Sequence, residues 1–200
     1  IIEEFISLRY VRKYYERGEF ELQCDLTLDA LILLKRENII YLKGDVEAAY
    51  IEYINLKKDD EGKEIIVVKG KFLTGYFNRR IVWGTEIIND TAENAMRQLV
   101  YHNCINPTDA NRAISKLSLG ELNNFTEVVN YQVSYANLGD EIESLSTISD
   151  LGHRVKFDIS NRKLIFEVYQ GLDRSINQSV NPRAIFSKEF ENVIAQEFTD

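Results

Sequence analysis

Two histidines, two cysteines and 32 carboxylates are the side chains with which this 200-residue chain would do acid–base, nucleophilic or metal chemistry. His102 stands two residues from Cys104. Zinc sites need three or four ligands, so this pair alone is too sparse. His153 has no such neighbour, and both imidazoles are expected to be structural. Carboxylate pairs are frequent because acids are frequent, and hydrolysis needs two of them held a few ångströms apart in a cleft. Glu141 and Glu143 fall on different sides of an expected helix, which argues against that pair. Asp59–Asp60–Glu61 reads as a solvated turn, since adjacent carboxylates at a tip do not converge on a cation without further ligands. The sequence contains no glycine-rich phosphate loop, Cys-x-x-Cys, His-Glu-x-x-His or Gly-x-Ser-x-Gly. No enzymatic activity, cofactor or metal is expected.

The aromatic side chains say more. Tyr and Trp join apolar area to a polar tip and so suit interfaces as well as cores. Trp83, within Arg79–Arg80–Ile81–Val82–Trp83–Gly84, is the strongest candidate anchor. Arg79 and Arg80 could pair with acids on a neighbouring subunit or stay solvated, and Tyr14 and Tyr15 form a further candidate contact. A formal net charge of −8 argues against specific nucleic-acid binding, which requires concentrated Lys and Arg. Two cysteines, Cys24 and Cys104, are too few for a disulfide framework, so folding in a reducing cytoplasm is expected. No apolar run reaches the ~20 residues of a membrane span, and Ile1–Tyr10 carries charges unlike a signal peptide. Three Asn-x-Ser/Thr matches, at Asn89, Asn124 and Asn177, are read as chance. The chain starts inside an apolar segment without a methionine and reads as part of a longer protein.

The elements that must position these groups change in character near residue 89. In Glu19–Leu26, Phe20, Leu22, Cys24 and Leu26 alternate with polar residues, the period of a half-buried strand. Ile6, Leu8 and Tyr10 alternate likewise, and Glu16–Arg17–Gly18 supplies a hairpin turn between the two runs. Thr27 caps an expected helix through Leu34. A second hairpin joins Val46–Leu56 to Glu64–Lys69, and Phe72–Phe77 is either a brief helix or an irregular turn. Beyond the shift, Asp90 and Glu93 suggest the capped start of a helix running to about Asn103, with Ala92, Ala95, Met96, Leu99 and Val100 on its buried face. Asn106–Asn111 reads as a loop. Another helix begins near Asn137, with Leu138, Ile142, Leu145 and Ile148 on one stripe and Gly152 as its stop. A hairpin of Arg154–Ile159 and Lys163–Tyr169 follows. Two domains are expected, a β-rich one over 1–88 and an α/β one over 89–200.

Several segments together resemble a family of siphophage tail proteins. They are Tyr14–Leu22, Asn78–Gly84, Arg97–Val100, Asn106–Pro107, Asn111–Arg112, Lys163–Ser175 and Ile185–Asn192, in order along nearly the whole chain. The resemblance implies a tail-tip protein like the hub of contractile baseplates. The implied fold is α+β: a β-rich tail-tube-like barrel domain, lacking its first strand, then a smaller α/β domain with helices packed on a short sheet and the start of a further, truncated β region. It also implies a structural component of the virion tail tip, made in the bacterial host cytoplasm and forming a ring, a homotrimer when full length. The expected neighbours are the distal tail protein and the tape-measure protein. The family offers no catalytic residues to carry over. A module gripping cell-wall glycan or a receptor is the alternative reading, and a tail-associated peptidoglycan hydrolase a third.

Overall fold

The computed structural model describes residues 1–193. Ile1–Gln170 forms one compact unit and a second begins at Gly171. The first unit is α+β, with a curled half-barrel sheet and a smaller helix and sheet region.

The curled sheet holds β1 (Ser7–Val11), β2 (Glu19–Asp25), β3 (Ile39–Tyr41), β4 (Ala48–Lys58) and β5 (Glu64–Phe72) in the antiparallel order β1-β2-β5-β4-β3. The alternation of β2 buries Phe20, Leu22 and Cys24 against Ile66, Val68 and Phe72 of β5 and Ala49 and Ile51 of β4. A short helix, α1 (Leu28–Leu33), covers this core with Ala30, and Leu34 follows behind it. Thr27 caps α1, its hydroxyl accepting the Ala30 N–H at 3.1 Å. Each fully buried large apolar side chain in such a core is worth about 1.5–3 kcal/mol. The opposite face carries a ladder of opposite charges: Arg9 with Glu19 at 2.9 Å, Glu21 with Lys69 at 2.8 Å and Asp25 with Lys63 at 2.7 Å. At the tip of β4–β5 the Asp59 carboxylate accepts the N–H groups of Glu61 and Lys63, so it serves the turn.

Of Phe72–Phe77, ambiguous in sequence, Phe72 ends β5 and the rest opens a 3-10 segment over Leu73–Arg79. Next come the ribbon strand β6 (Thr85–Thr91) and the helix α2 (Ala92–Val100), whose last turn widens into a π-helix at Tyr101–Ile105. The expected domain limit at residue 88 thus falls inside a strand. The chain continues through a 3-10 turn at Ala110–Arg112, β7 (Leu117–Leu119), β8 (Val128–Ser134), α3 (Leu138–Ser149), β9 (Gly152–Asp158) and β10 (Lys163–Tyr169). β6 pairs with β8, while β10 lies between antiparallel β9 and parallel β7. A second core of Phe77, Met96, Leu99, Leu138, Ile142, Leu145 and Phe166 joins these sheets to the two helices. An antiparallel bridge between Glu47 and Lys156, with the Phe157 N–H on the Val46 carbonyl at 3.0 Å, ties the curled sheet to β9.

Three local expectations are corrected. The N-cap of α2 is Thr91, which accepts the Asn94 N–H, while Asp90 accepts from Thr91 N and the Asn94 amide. Glu93 does not turn back to complete a capping box. It is 1% exposed and accepts the N–H groups of Asn123 at 2.8 Å and Phe125 at 3.2 Å. Ile148 lies off the buried stripe of α3 and is 66% exposed. That helix is ended by Asp150 in the left-handed conformation (φ 57°), and Gly152 opens β9 instead. A Cβ on Gly152 would stand 2.5 Å from the Tyr14 ring, so close packing explains this glycine.

From Gly171 onward the described residues contain no strand. The further β region expected there extends to residues 194–200, outside the described residues. Leu172, Ile176, Val180, Ile185, Phe186 and Phe190 are exposed in this unit.

Candidate interface

Trp83, Arg79 and Arg80 line one shallow concavity of about 430 Å³, together with Asn78, Ile81, Asn111 and Arg112. Trp83 is 60% exposed. Its position is nevertheless fixed. Its backbone N–H donates to the Asn103 side-chain oxygen at 2.9 Å, and Asn103 is buried in the π-helical turn, its amide donating to the Leu99 carbonyl at 2.9 Å. A π-helical turn often marks a functional site, because the extra residue re-aims side chains. Gly84, at φ 90°, then supplies the turn into β6. Tyr135, 64% exposed, meets the Trp83 ring edge-on at 6.1 Å, and its N–H donates to the Gly84 carbonyl. The Arg112 guanidinium lies 5.3 Å from the Trp83 ring centroid, a cation–π contact.

The arginines have different fates. Arg79 forms a two-pronged pair with Glu37 at 2.8 and 2.9 Å and lies over the rings of Tyr50 and Tyr76, so its charge is engaged within the chain. Arg80 donates to the carbonyls of Arg112 at 2.7 Å and Arg79 at 3.0 Å, and Arg112 donates to the Ile81 carbonyl. Trp, Tyr and Arg clustered in this way have the composition of binding hot spots. Sequence reading missed Arg112, Tyr135 and Asn103. The β6–β8 pairing and the π-helical turn bring them to Trp83 from 20 to 52 positions away, with no local signal.

Tyr14 and Tyr15 lie apart from this concavity, stacked edge-on at 4.8 Å. The Tyr14 hydroxyl donates to the Asp150 carbonyl at 3.1 Å and the Tyr15 hydroxyl to the Asp150 carboxylate. They fasten the β1–β2 connection to the corner between α3 and β9.

A charge cluster sits where the curled sheet meets β9 and β10. Arg12 reaches Asp45 at 3.3 Å and Glu47 at 3.8 Å, while Glu167 of β10 accepts from Arg154 and Lys156. Tyr10 donates to the Glu47 carbonyl at 3.0 Å. Glu47 is 8% exposed, and burial pushes its carboxyl up to about 7. Arg12 and Arg154 oppose that rise, and the Asp45 and Glu167 charges add to it. His153 is buried with Nδ1 3.2 Å from the Ser146 hydroxyl, and burial lowers its imidazole to about 4. His102 sits beside Glu86 at 3.0 Å. Cys24 and Cys104 are free and buried, and burial pushes the Cys104 thiol up to about 12. Among the described residues no group of three or more His, Cys, Asp or Glu could hold a metal ion, and no helix is long and apolar enough to cross a membrane.

The chain is similar to the prophage tail protein gp18 from Listeria monocytogenes EGD-e, with a TM-score of 0.50 at 17% identity, covering 78% of this chain and 42% of that one. The E. coli c3393 protein matches with a TM-score of 0.49 at 9% identity, over 84% of this chain and 46% of that chain. It is a component of the type VI secretion system with structural similarity to the T4 bacteriophage tail proteins gp27 and gp5. The prophage MuSo2 43 kDa tail protein from Shewanella oneidensis matches with a TM-score of 0.45 at 11% identity, over 84% and 56%. The chain therefore spans about half the length of these structures. At such identities the likeness is one of fold, and the Listeria protein carries it. No curated protein matches. The family model described as Siphovirus ReqiPepy6 Gp37-like protein matches residues 1–200, and the chain belongs to that family.

Proposed function

We propose that this chain is a structural component of a phage or prophage tail, working by protein–protein contact and placed at the distal tip as part of a baseplate hub. Membership of a siphovirus family over residues 1–200 carries this reading, and the fold shared with a prophage tail protein supports it. The Trp83 concavity supplies the contact chemistry: an exposed indole on an anchored backbone, flanked by Tyr135 and two guanidinium groups. In this reading the full-length protein is a homotrimer forming a ring between the tail tube and the host-facing tip. The distal tail protein and the tape-measure protein are its neighbours, and the virion is its location.

Immunogold labelling of intact tailed particles with an antibody raised against the chain tests the reading. Label confined to the tail end distal to the capsid is the expected result. Particles that carry the protein by mass spectrometry but label elsewhere would remove the tip assignment, and particles without it would remove the structural role. The exposed Trp83–Tyr135 pair also suits stacking on a sugar ring, which favours a cell-wall glycan module as second reading. Retention of the purified chain on host cell walls, lost on Trp83→Ala, would favour that reading over assembly.

A further inference from the structure

We propose that Arg80 and Arg112, beside Trp83, form a socket for carboxylates of a second copy of this chain. The inference rests on the assembly reading above and names the surface and the chemistry through which assembly occurs. Both guanidinium groups are oriented by backbone carbonyls, Arg80 by those of Arg112 and Arg79, and Arg112 by that of Ile81. Carbonyls fix geometry without neutralising charge, and each five-donor fork keeps unused N–H groups. Among the described residues neither Arg80 nor Arg112 lies within ion-pair distance of a carboxylate. Arg9, Arg12, Arg17, Arg79 and Arg154 all do. Arg36, Arg97 and Arg162 also form no ion pair among the described residues; what sets Arg80 and Arg112 apart is that they lie together beside an exposed tryptophan. Both also act electrostatically on the buried Cys104 thiol, which places them in one locality. Exposed Ile81, Trp83 and Tyr135 surround them with apolar and aromatic area that would exclude water from a docked carboxylate.

Charge selects the occupant. A second copy carries a formal net charge of −8 and presents many carboxylates. Cation facing cation across a twofold axis would repel, so the socket cannot be self-complementary. It must receive a different, carboxylate-bearing part of the neighbour's surface, and such a contact closes either reciprocally about a twofold axis or head to tail in a ring.

Trp83 is the chain's only tryptophan, so its emission reports this socket. Sedimentation velocity and acrylamide quenching would be followed for the whole chain over a dilution series, at low salt and at ~1 M salt, where the Debye length is ~3 Å. The expected result is association on concentration with a blue shift and a several-fold drop in quenching. Both effects are lost at high salt and in Arg80→Glu/Arg112→Glu, and partly retained in Arg80→Lys/Arg112→Lys, which keeps the charge. Far-UV circular dichroism checks that both variants fold. Association that leaves quenching unchanged would overturn the socket and spare the assembly reading. A monomer at every concentration, with Trp83 unresponsive to an added glutamate-rich peptide, would overturn both. A monomer whose Trp83 does respond to that peptide would hand the socket to a foreign acidic segment and overturn the second-copy occupant.

Discussion

Replacing Glu47 by glutamine keeps the shape of the side chain and removes its proton equilibrium. In the folded chain the carboxyl titrates at about 7, against 4.5 for an ordinary glutamate, because it is buried between the two sheets. The folded state therefore holds a proton that the unfolded state has released between these values. The contribution of Glu47 to stability is fully present below pH 4.5 and is lost as pH rises toward 7, by up to ~1.4 kcal/mol per pH unit. A gap of about 2.5 pH units at 1.36 kcal/mol each sets a ceiling of about 3 kcal/mol on the cost of charging Glu47. Other titrating groups, His153 among them, contribute equally to both proteins and cancel in the difference. Urea unfolding of the parent and of Glu47→Gln at about pH 5 and pH 8 isolates the effect. The stability of the variant relative to the parent should be roughly 1–3 kcal/mol greater at the higher pH. A difference that stays constant between the two pH values, or one that shrinks at pH 8, would refute the account of Glu47 as a carboxyl charged against burial.

Three further outcomes follow from buried groups. His153, lowered to about 4 by burial, makes the unfolded state the stronger proton binder below pH 6.5. Parent stability should therefore carry a component lost as pH falls from 6.5 toward 4, and His153→Gln should flatten it in urea titrations. Glu93→Ala leaves the N–H groups of Asn123 and Phe125 without their acceptor and should lower stability by about 2–4 kcal/mol in chemical denaturation. Gly152→Ala drives a methyl into the Tyr14 ring and should cost about 1–3 kcal/mol. Pairing it with Tyr14→Ala in a double-mutant cycle should return part of that loss, and strict additivity would show that the Tyr14 ring is not the obstacle.

Legibility in the sequence followed the range of the forces. β2 and the β9–β10 hairpin were readable because their apolar periods are unbroken, and α3 because Leu138, Ile142 and Leu145 keep helical spacing behind Asn137, which accepts the Gly139 and Asp140 N–H groups. β7 is three residues long and pairs with β10, which lies more than 40 positions away, so nothing local marks it. β8 does alternate Val129, Tyr131 and Val133, yet its partner β6 lies across α2 and the π-helical turn. Asp90 and Thr91 are both competent caps, and the choice between them depends on where β6 releases the chain into α2. At the candidate interface, Arg79, Arg80 and Trp83 are neighbours in sequence and were visible together. Arg112 joins them through a carbonyl contact 32 positions away. Glu47 is one acid among 32, and what sets it apart is burial between two sheets, a property of the assembled tertiary structure.

The fastening of Tyr14 and Tyr15 to Asp150 bears on the order in which the protein is made. Their acceptor leaves the ribosome 135 residues after Tyr15 does. At ~5–20 residues per second of synthesis, that interval is on the order of 10 s. β1 and β2 can pair with β5 long before then, and Arg12 and Gly18 meet their partners by residue 72, but the Tyr15 hydroxyl reaches Asp150 only once the end of α3 has emerged. The β1–β2 connection is therefore completed late, and a nascent chain stalled before residue 150 should be cut there faster than the finished protein.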